Sequence, residues 1–302
     1  MTLMTAPETK TATLRTLQVV PRHRDAVKPA ELIQVTGHHE LTLNARRAIT
    51  VLWHNAHRQG VGEGKDYTIE IDDLKPDGHK GYEMVEEAVE ALMRTILVVK
   101  LPNGGTRRVQ FLGGNDMDEP DRPAGVLTYS FDRRLIKILE DSTIWGKISI
   151  PVLMAFSSKY AVSLYENVAQ VANLTLKQSQ TYTLENFREI LGVQPGKYKS
   201  FGELNKHVIK PAVAEVNALA PFGLALLPVK QGKKVVQVNI GWWPKDTSGL
   251  KEAFAELSRS RIGRKARIAG TVEHVTAPVT SIERMRRKHS LPKNFSRPAD
   301  EE

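Results

Sequence analysis

Apolar and polar positions along this chain follow two rhythms. Spacing by threes and fours predicts helices, and short alternating runs predict strands. The clearest block runs from Thr183 to Trp243. Thr183 is a good N-cap, Leu184, Phe187, Ile190 and Leu191 form one face, and Gly192 marks the stop of a first helix. Pro195-Gly196 makes a turn, and Ser200 with Glu203 has the S-x-x-E pattern of a capping box. A second helix follows, with Phe201, Leu204, Val208, Ala212, Val216 and Leu219 as its buried stripe. After Pro221 and Gly223 come two strands, Leu224–Val229 and Lys234–Ile240, joined by Lys230-Gln231-Gly232-Lys233. Helix, turn, helix and hairpin in that order predict a winged helix.

The same order occurs earlier in the chain. A helix from Leu43 to about Arg58 turns Ala45, Ile49, Leu52, Trp53 and Ala56 inward and ends at Gly60. Tyr67-Thr68-Ile69-Glu70 then matches Tyr182-Thr183-Leu184-Glu185, and Lys80-Gly81-Tyr82-Glu83-Met84 resembles 199–204 with one residue inserted. A helix from about Tyr82 to Met93 leads to a hairpin, Ile96–Leu101 and Arg107–Leu112, turning at Asn103-Gly104-Gly105. Asn115–Gly125 reads as an acidic connector between the halves, Val126–Phe131 as a strand and Asp132–Leu139 as a short helix. Ile148–Pro151 reads as a second connector, and a helix from about Ser157 to Val171 opens the second half. The expected fold class is α+β, with two tandem winged-helix domains related by pseudo-duplication and flexible termini. The expected bounds are an arm over 1–30 with order beginning near Glu31, a first domain over 31–145, a second over 146–245 and a basic tail over 246–302.

Charge sharpens this picture. The chain has 43 Lys and Arg against 34 Asp and Glu, a net charge of +9, which suits a polyanionic partner. It contains no cysteine, which excludes disulfides and thiolate metal sites. No run approaches the ~18 apolar residues of a membrane helix, so a soluble, cytoplasmic protein is expected. The cations gather on the second winged helix. Lys197 and Lys199 precede its second helix, Ser200 starts it, and Asn205, Lys206, His207 and Lys210 lie off its apolar stripe. Lys230, Lys233 and Lys234 tip its hairpin. A helix in the major groove with cations at its rim to neutralise phosphates needs this pattern, so these residues are the candidate contacts to double-stranded DNA. Gly202 in the first turn would permit close approach to a phosphate. Lys80, Arg107 and Arg108 are the first-half counterparts. From Lys251 to Glu302 there are twelve Lys or Arg and seven Asp or Glu, so a disordered basic arm adding phosphate contacts is expected beyond a short helix at Leu250–Leu257 with Ala253, Phe254 and Leu257 on one side.

Residues that could do chemistry lack the partners for it. His38-His39 are adjacent, and His54 with His57 has no third ligand. Gly60-Val61-Gly62-Glu63-Gly64-Lys65 is one residue short of a phosphate-binding loop, with Asp66 where Ser or Thr would hold magnesium. The acidic loop carries Pro120 and lacks the glycine of a calcium site. No catalytic residue, metal or cofactor is expected.

Three strings carry a family resemblance: Leu41-Thr42-Leu43-Asn44-Ala45-Arg46-Arg47, Ser158-Lys159-Tyr160-Ala161-Val162-Ser163-Leu164-Tyr165-Glu166, and Tyr198-Lys199-Ser200-Phe201-Gly202-Glu203-Leu204, the last followed by Val208-Ile209-Lys210-Pro211-Ala212. Together they resemble the iteron-binding plasmid replication initiators of the Rep_3 superfamily, over about residues 31–243. Pro211 inside a helix is the most specific feature, because it demands a kink. Ser163 departs from the family pattern, which usually has Arg there. The resemblance implies a first domain for dimerisation and auxiliary DNA contact, and a second that reads directly repeated origin sites. It also implies a homodimer in equilibrium with monomer, autorepression as a dimer, and recruitment of the host initiator and replicative helicase. A tandem winged-helix transcriptional regulator and a protein-docking module remain as alternatives.

Overall fold

The computed structural model describes residues 25–76, 81–100, 104–117, 125–140, 142, 144–172 and 177–271. The described chain begins with strand β1, Asp25–Pro29, paired antiparallel with β7, Trp145–Ser149. Order therefore starts before Glu31, and Ile148–Pro151 is not a connector but the end of β7 and the start of a helix. The sequence hides β1 because one of its inward positions is Lys28, which reads as a solvated charge yet is 2 % exposed. Helix α1, Ala30–Ile33, follows directly.

The first winged helix is built from α2, Leu43–Arg58, then β2, Tyr67–Glu70, a 3-10 turn at Ile71–Leu74, α3, Glu83–Arg94, and the strands β5, Leu112–Met117, and β6, Val126–Phe131. Thr42 caps α2 by accepting from the Ala45 N–H at 3.2 Å, and Ala45, Ile49, Leu52, Trp53 and Ala56 are all buried. The second half repeats the order with α6, Lys159–Ala169, β8, Ser179–Thr183, α7, Leu184–Leu191, a long helix α8 over 201–219, and strands β9, Phe222–Gln231, and β10, Lys234–Pro244. Each half folds its three strands in the same spatial order, β2-β6-β5 and β8-β10-β9. The duplication is therefore a matter of topology. The shared tetrapeptide is not superposable residue by residue: Tyr67–Glu70 is all strand, whereas Leu184 and Glu185 already belong to α7.

The hairpin carrying Arg107 and Arg108 is not the first wing. Its strands, β3, Leu97–Lys100, and β4, Thr106–Val109, form a separate two-stranded sheet inserted before β5. The true wing is β5–β6, so Asn115 and Asp116 belong to a strand of that wing rather than to a connector between the halves, and residues 118–124 lie outside the described residues. The Leu112-Gly113-Gly114 run looks like a turn in sequence but makes a bulged strand, with Gly113 placed where a Cβ would come 3.2 Å from the Phe131 carbonyl. β3 is also not a free edge for pairing with another chain. Thr36 bridges Val98, accepting its N–H at 3.4 Å and donating its hydroxyl to its carbonyl at 3.2 Å.

Between β6 and the second half lie α4, Arg133–Glu140, capped by Asp132, then β7 and α5, Ile150–Ala155. One hydrophobic core centres on Trp53, Tyr67, Tyr129 and Phe111, and another on Tyr165, Phe187, Leu204, Val216 and Trp242. A polar seam ties α2 of the first half to α6 of the second. Lys28 donates to both Glu166 oxygens at 2.8 and 2.9 Å and to Thr50 at 3.0 Å, and Thr50 donates to Glu166 at 2.7 Å. Arg46 donates to the Ser163 hydroxyl and, at 3.1 Å, to the His38 carbonyl. Ser163 leaves room for the Arg46 guanidinium, which packs on Gly192 at the end of α7. Burial pulls the Lys28 ammonium down against the opposing pull of Glu166, lowers Arg46 to about 10 and holds the His38 imidazole well below its usual range.

Helix α9, Thr247–Ser258, is capped by Asp246 and packs with Ala253 buried, while Phe254 is 71 % exposed. The expected helix is therefore longer, and Phe254 does not share the buried side with Ala253. A separate compact unit begins at Ile262 and contains α10, Arg264–Ile268.

Candidate nucleic-acid interface

The start of α8 is defined by its own side chains. The Ser200 hydroxyl accepts from the Glu203 N–H at 3.2 Å and Glu203 accepts from the Ser200 N–H at 3.3 Å. The first turn thus carries a carboxylate of its own. That answers the expectation of a phosphate at Gly202: the glycine is exposed, but the helix terminus beside it already holds an anion.

Pro211 has no N–H to donate to the carbonyl one turn back, and the helix absorbs this by widening. Asn205–Ile209 is a π turn, closed by the Lys210 N–H donating to the Asn205 carbonyl. The extra residue lets both Val208 and Ile209 be buried, one more apolar position than the regular stripe predicts. Gly202, Lys206, His207 and Lys210 remain exposed, and Asn205 is half-buried. Asn205, Ile209, Val213, Leu226 and Pro228 line a notch of about 290 Å³ between α8 and the wing.

The wing is longer and tighter than the sequence suggests. Lys230 and Gln231 stay paired with Val235 and Lys234, so the turn shrinks to Gly232-Lys233, with Gly232 at φ +61. Lys230, Lys233 and Lys234 are all exposed at its tip.

Upstream, the turn from α7 into α8 is held from three sides. Tyr198 has φ +50 and is the only non-glycine residue with positive φ among the described residues. Such a backbone costs a bulky residue roughly 1–3 kcal/mol and persists only when its surroundings impose it. Arg188 of α7 donates to the Tyr198 carbonyl at 2.9 Å and to the Lys197 carbonyl. The Tyr198 ring stacks on His207 at 5.7 Å and 19°, and it lies near enough to Tyr160 of α6 to help burial, the larger cause, push that hydroxyl's pKa up. Arg188 carried no signal in the sequence, and Tyr198 entered only as the start of a family string, since nothing in a Gly-Lys-Tyr-Lys string marks a left-handed tyrosine. Lys197 and Lys199 flank it, both exposed. The field of this corner is positive enough to reach Lys159, lowered to about 8 by burial first and then by Arg46 and Lys197.

The second half therefore brings together Lys197, Lys199, Ser200, Asn205, Lys206, His207, Lys210, Lys230, Lys233 and Lys234 on one helix, its entry turn and its wing. None of these lysines forms an ion pair with a described carboxylate. The first half does not match. Its α3 exposes Glu83, Glu86, Glu87 and Glu90, and Asp116 is exposed on its wing. Arg107 is half-buried and Arg108 exposed on the inserted hairpin, which belongs to neither wing, and Lys80 lies outside the described residues. Among the described residues no three His, Asp or Glu converge as a metal site, and no helix is long and apolar enough to cross a membrane.

Comparison with known proteins fits this frame. Residues 25–169 match the family described as "Initiator Replication protein, WH1", and residues 183–242 match "Initiator Rep protein, WH2". The chain belongs to the Rep_3 initiator replication proteins. Members of this family are DNA-binding initiators and not enzymes. In fold, the chain is similar to the Pi initiator protein, solved in complex with iteron DNA, with a TM-score of 0.57 and 18% identity. That likeness covers 76% of this chain and 100% of the other. No curated protein matches the sequence.

Proposed function

We propose that this Rep_3 protein is a plasmid replication initiator whose second winged helix binds directly repeated origin DNA. The carrying observation is the capped helix α8 and its wing, which present seven exposed lysines unopposed by described carboxylates. In this reading α8 enters the major groove, the wing straddles the neighbouring backbone, and Lys206 stands nearest the bases. The Pi initiator, of the same fold, is bound to iteron DNA in its structure, which supports the reading. The acidic α3 leaves the first half to pair chains, with the β4 edge, unpaired among the described residues, and the exposed Ile96 as its available surface. The same reading has the dimer repress its own gene and the monomer recruit the host initiator and helicase.

The test is a titration of direct repeats near the gene against a scrambled duplex across salt. Preference for the repeats by about 10³-fold or more, with affinity falling steeply as salt rises, is the expected result. Equal affinity for both duplexes would replace this reading with that of a non-specific binder, and no binding at low salt would leave a protein-docking module.

A further inference from the structure

We infer that Arg188 and Tyr198 are positioning residues for base recognition, forming a brace that fixes the angle at which α8 is offered to DNA. This rests on the reading of α8 as the groove helix. The brace begins on α7, where the forked guanidinium of Arg188 satisfies two consecutive carbonyls, those of Lys197 and Tyr198. These carbonyls lie before the Ser200 cap, outside any helix, so nothing intrahelical would hold them. Gripping both at once fixes the peptide between them, and with it the left-handed turn at Tyr198. The tyrosine ring then carries the constraint forward by stacking on His207, inside the π turn of α8.

The helix is thereby restrained at two points, its entry and its widened middle. Lys197 and Lys199, the cations flanking the strained residue, inherit a fixed direction from it. This arrangement gives His207 a role in the protein rather than on the DNA: its ring is engaged by Tyr198. Strain held in place beside a candidate binding surface is the signature of preorganisation, in which the cost of ordering a contact is met during folding and not on binding. A preorganised entry turn affects selectivity more than bulk attraction. Groove hydrogen bonds require the helix at one angle, whereas phosphate neutralisation tolerates many.

The experiment measures affinity for the repeat duplex and for a random duplex, both across salt, together with the urea midpoint. Arg188→Lys keeps the charge but loses the fork. It is expected to lower the ratio of repeat to random affinity about tenfold while leaving random binding and its salt slope unchanged. Tyr198→Phe keeps the ring stack and should retain most of the ratio, and Tyr198→Ala should lose it. A loss shared equally by both duplexes with a shallower salt slope would make Arg188 a phosphate contact and overturn the inference. An unchanged ratio in both Arg188→Lys and Tyr198→Ala would overturn it as well. If Arg188→Lys lowers the urea midpoint severely, the Tyr198→Phe and Tyr198→Ala pair decides alone. Failure of the unaltered protein to prefer the repeats would refute the groove-helix reading instead, so the two failures are distinguishable.

Discussion

The two halves of this molecule have the same strand order and opposite surfaces. In the second half the helix at the recognition position is capped, widened by a π turn ahead of Pro211 and surrounded by lysines that pair with no described carboxylate. In the first, the helix in the same topological place exposes four glutamates, and an extra hairpin interrupts the path to the wing. A duplicated fold thus preserves its cores while its outer faces diverge, because buried positions answer to packing and exposed ones only to partners. Charge, and not topology, separates the half proposed to read DNA from its sibling.

The largest effect is expected where the halves meet. Glu166→Ala leaves the Lys28 ammonium buried without its counter-ion and should cost about 3–5 kcal/mol in urea denaturation, whereas Lys28→Met with Glu166→Leu should cost far less. Equal losses in the single and double variants would show that the seam holds through packing rather than charge. Next comes the groove helix. Lys206→Ala should weaken repeat binding by about 1–3 kcal/mol and relax specificity at one base position, read by gel shift over single-base variants of the repeat. The sibling helix is the control: Glu86→Lys with Glu87→Lys in α3 should leave repeat preference unchanged and raise affinity for random DNA at low salt. A gain in repeat preference would place α3 in a groove.

Smaller effects follow from the wing and the seam. Replacing Lys230, Lys233 and Lys234 by Gln should reduce affinity for all duplexes alike and flatten the salt dependence by about 0.9 per lost phosphate contact. For pH, His38 is held neutral by burial first and by Arg46 next, with an unfolded value near 6.5. Below that value the unfolded chain binds the proton and the folded chain does not, so stability is lost as pH falls through about 6.5. His54 and His57 are lowered too and add to the slope. His38→Gln should flatten the urea midpoint between pH 7 and 5.5, and an unaltered slope would move the effect to the other two.

The second half was readable because its signals are local. The Thr183 and Ser200 caps, the Gly192 stop and the spacing of Leu204, Val208, Ala212 and Val216 each act within a turn or two of chain. The first wing is placed one hairpin too early by the sequence, because Arg107–Leu112 reads as one strand and Asn115 onward as a connector, and only pairing with β6 across the sheet makes Leu112–Met117 a strand. β1 was missed because Lys28 is satisfied by Glu166, far away in sequence. The expected basic tail from residue 246 likewise starts with a helix that packs, so a test of tail charge has to cut beyond Ser258. Among the candidate contacts, the lysines were legible as charge, while the turn that aims them was not, since Tyr198 owes its conformation to Arg188 and His207.

Gly192 bears on how such proteins could exchange parts. It ends α7 at φ +65, and a side chain there would strike the Arg46 guanidinium and, at 2.9 Å, the His38 ring, both from the first half. Recombination that grafts the second winged helix of one initiator onto the first of another would have to bring a glycine at this position, or a first half without the arginine. New repeat specificities would then be acquired most readily by crossovers within α8 to β10, downstream of Gly192, where the inherited joint is left intact.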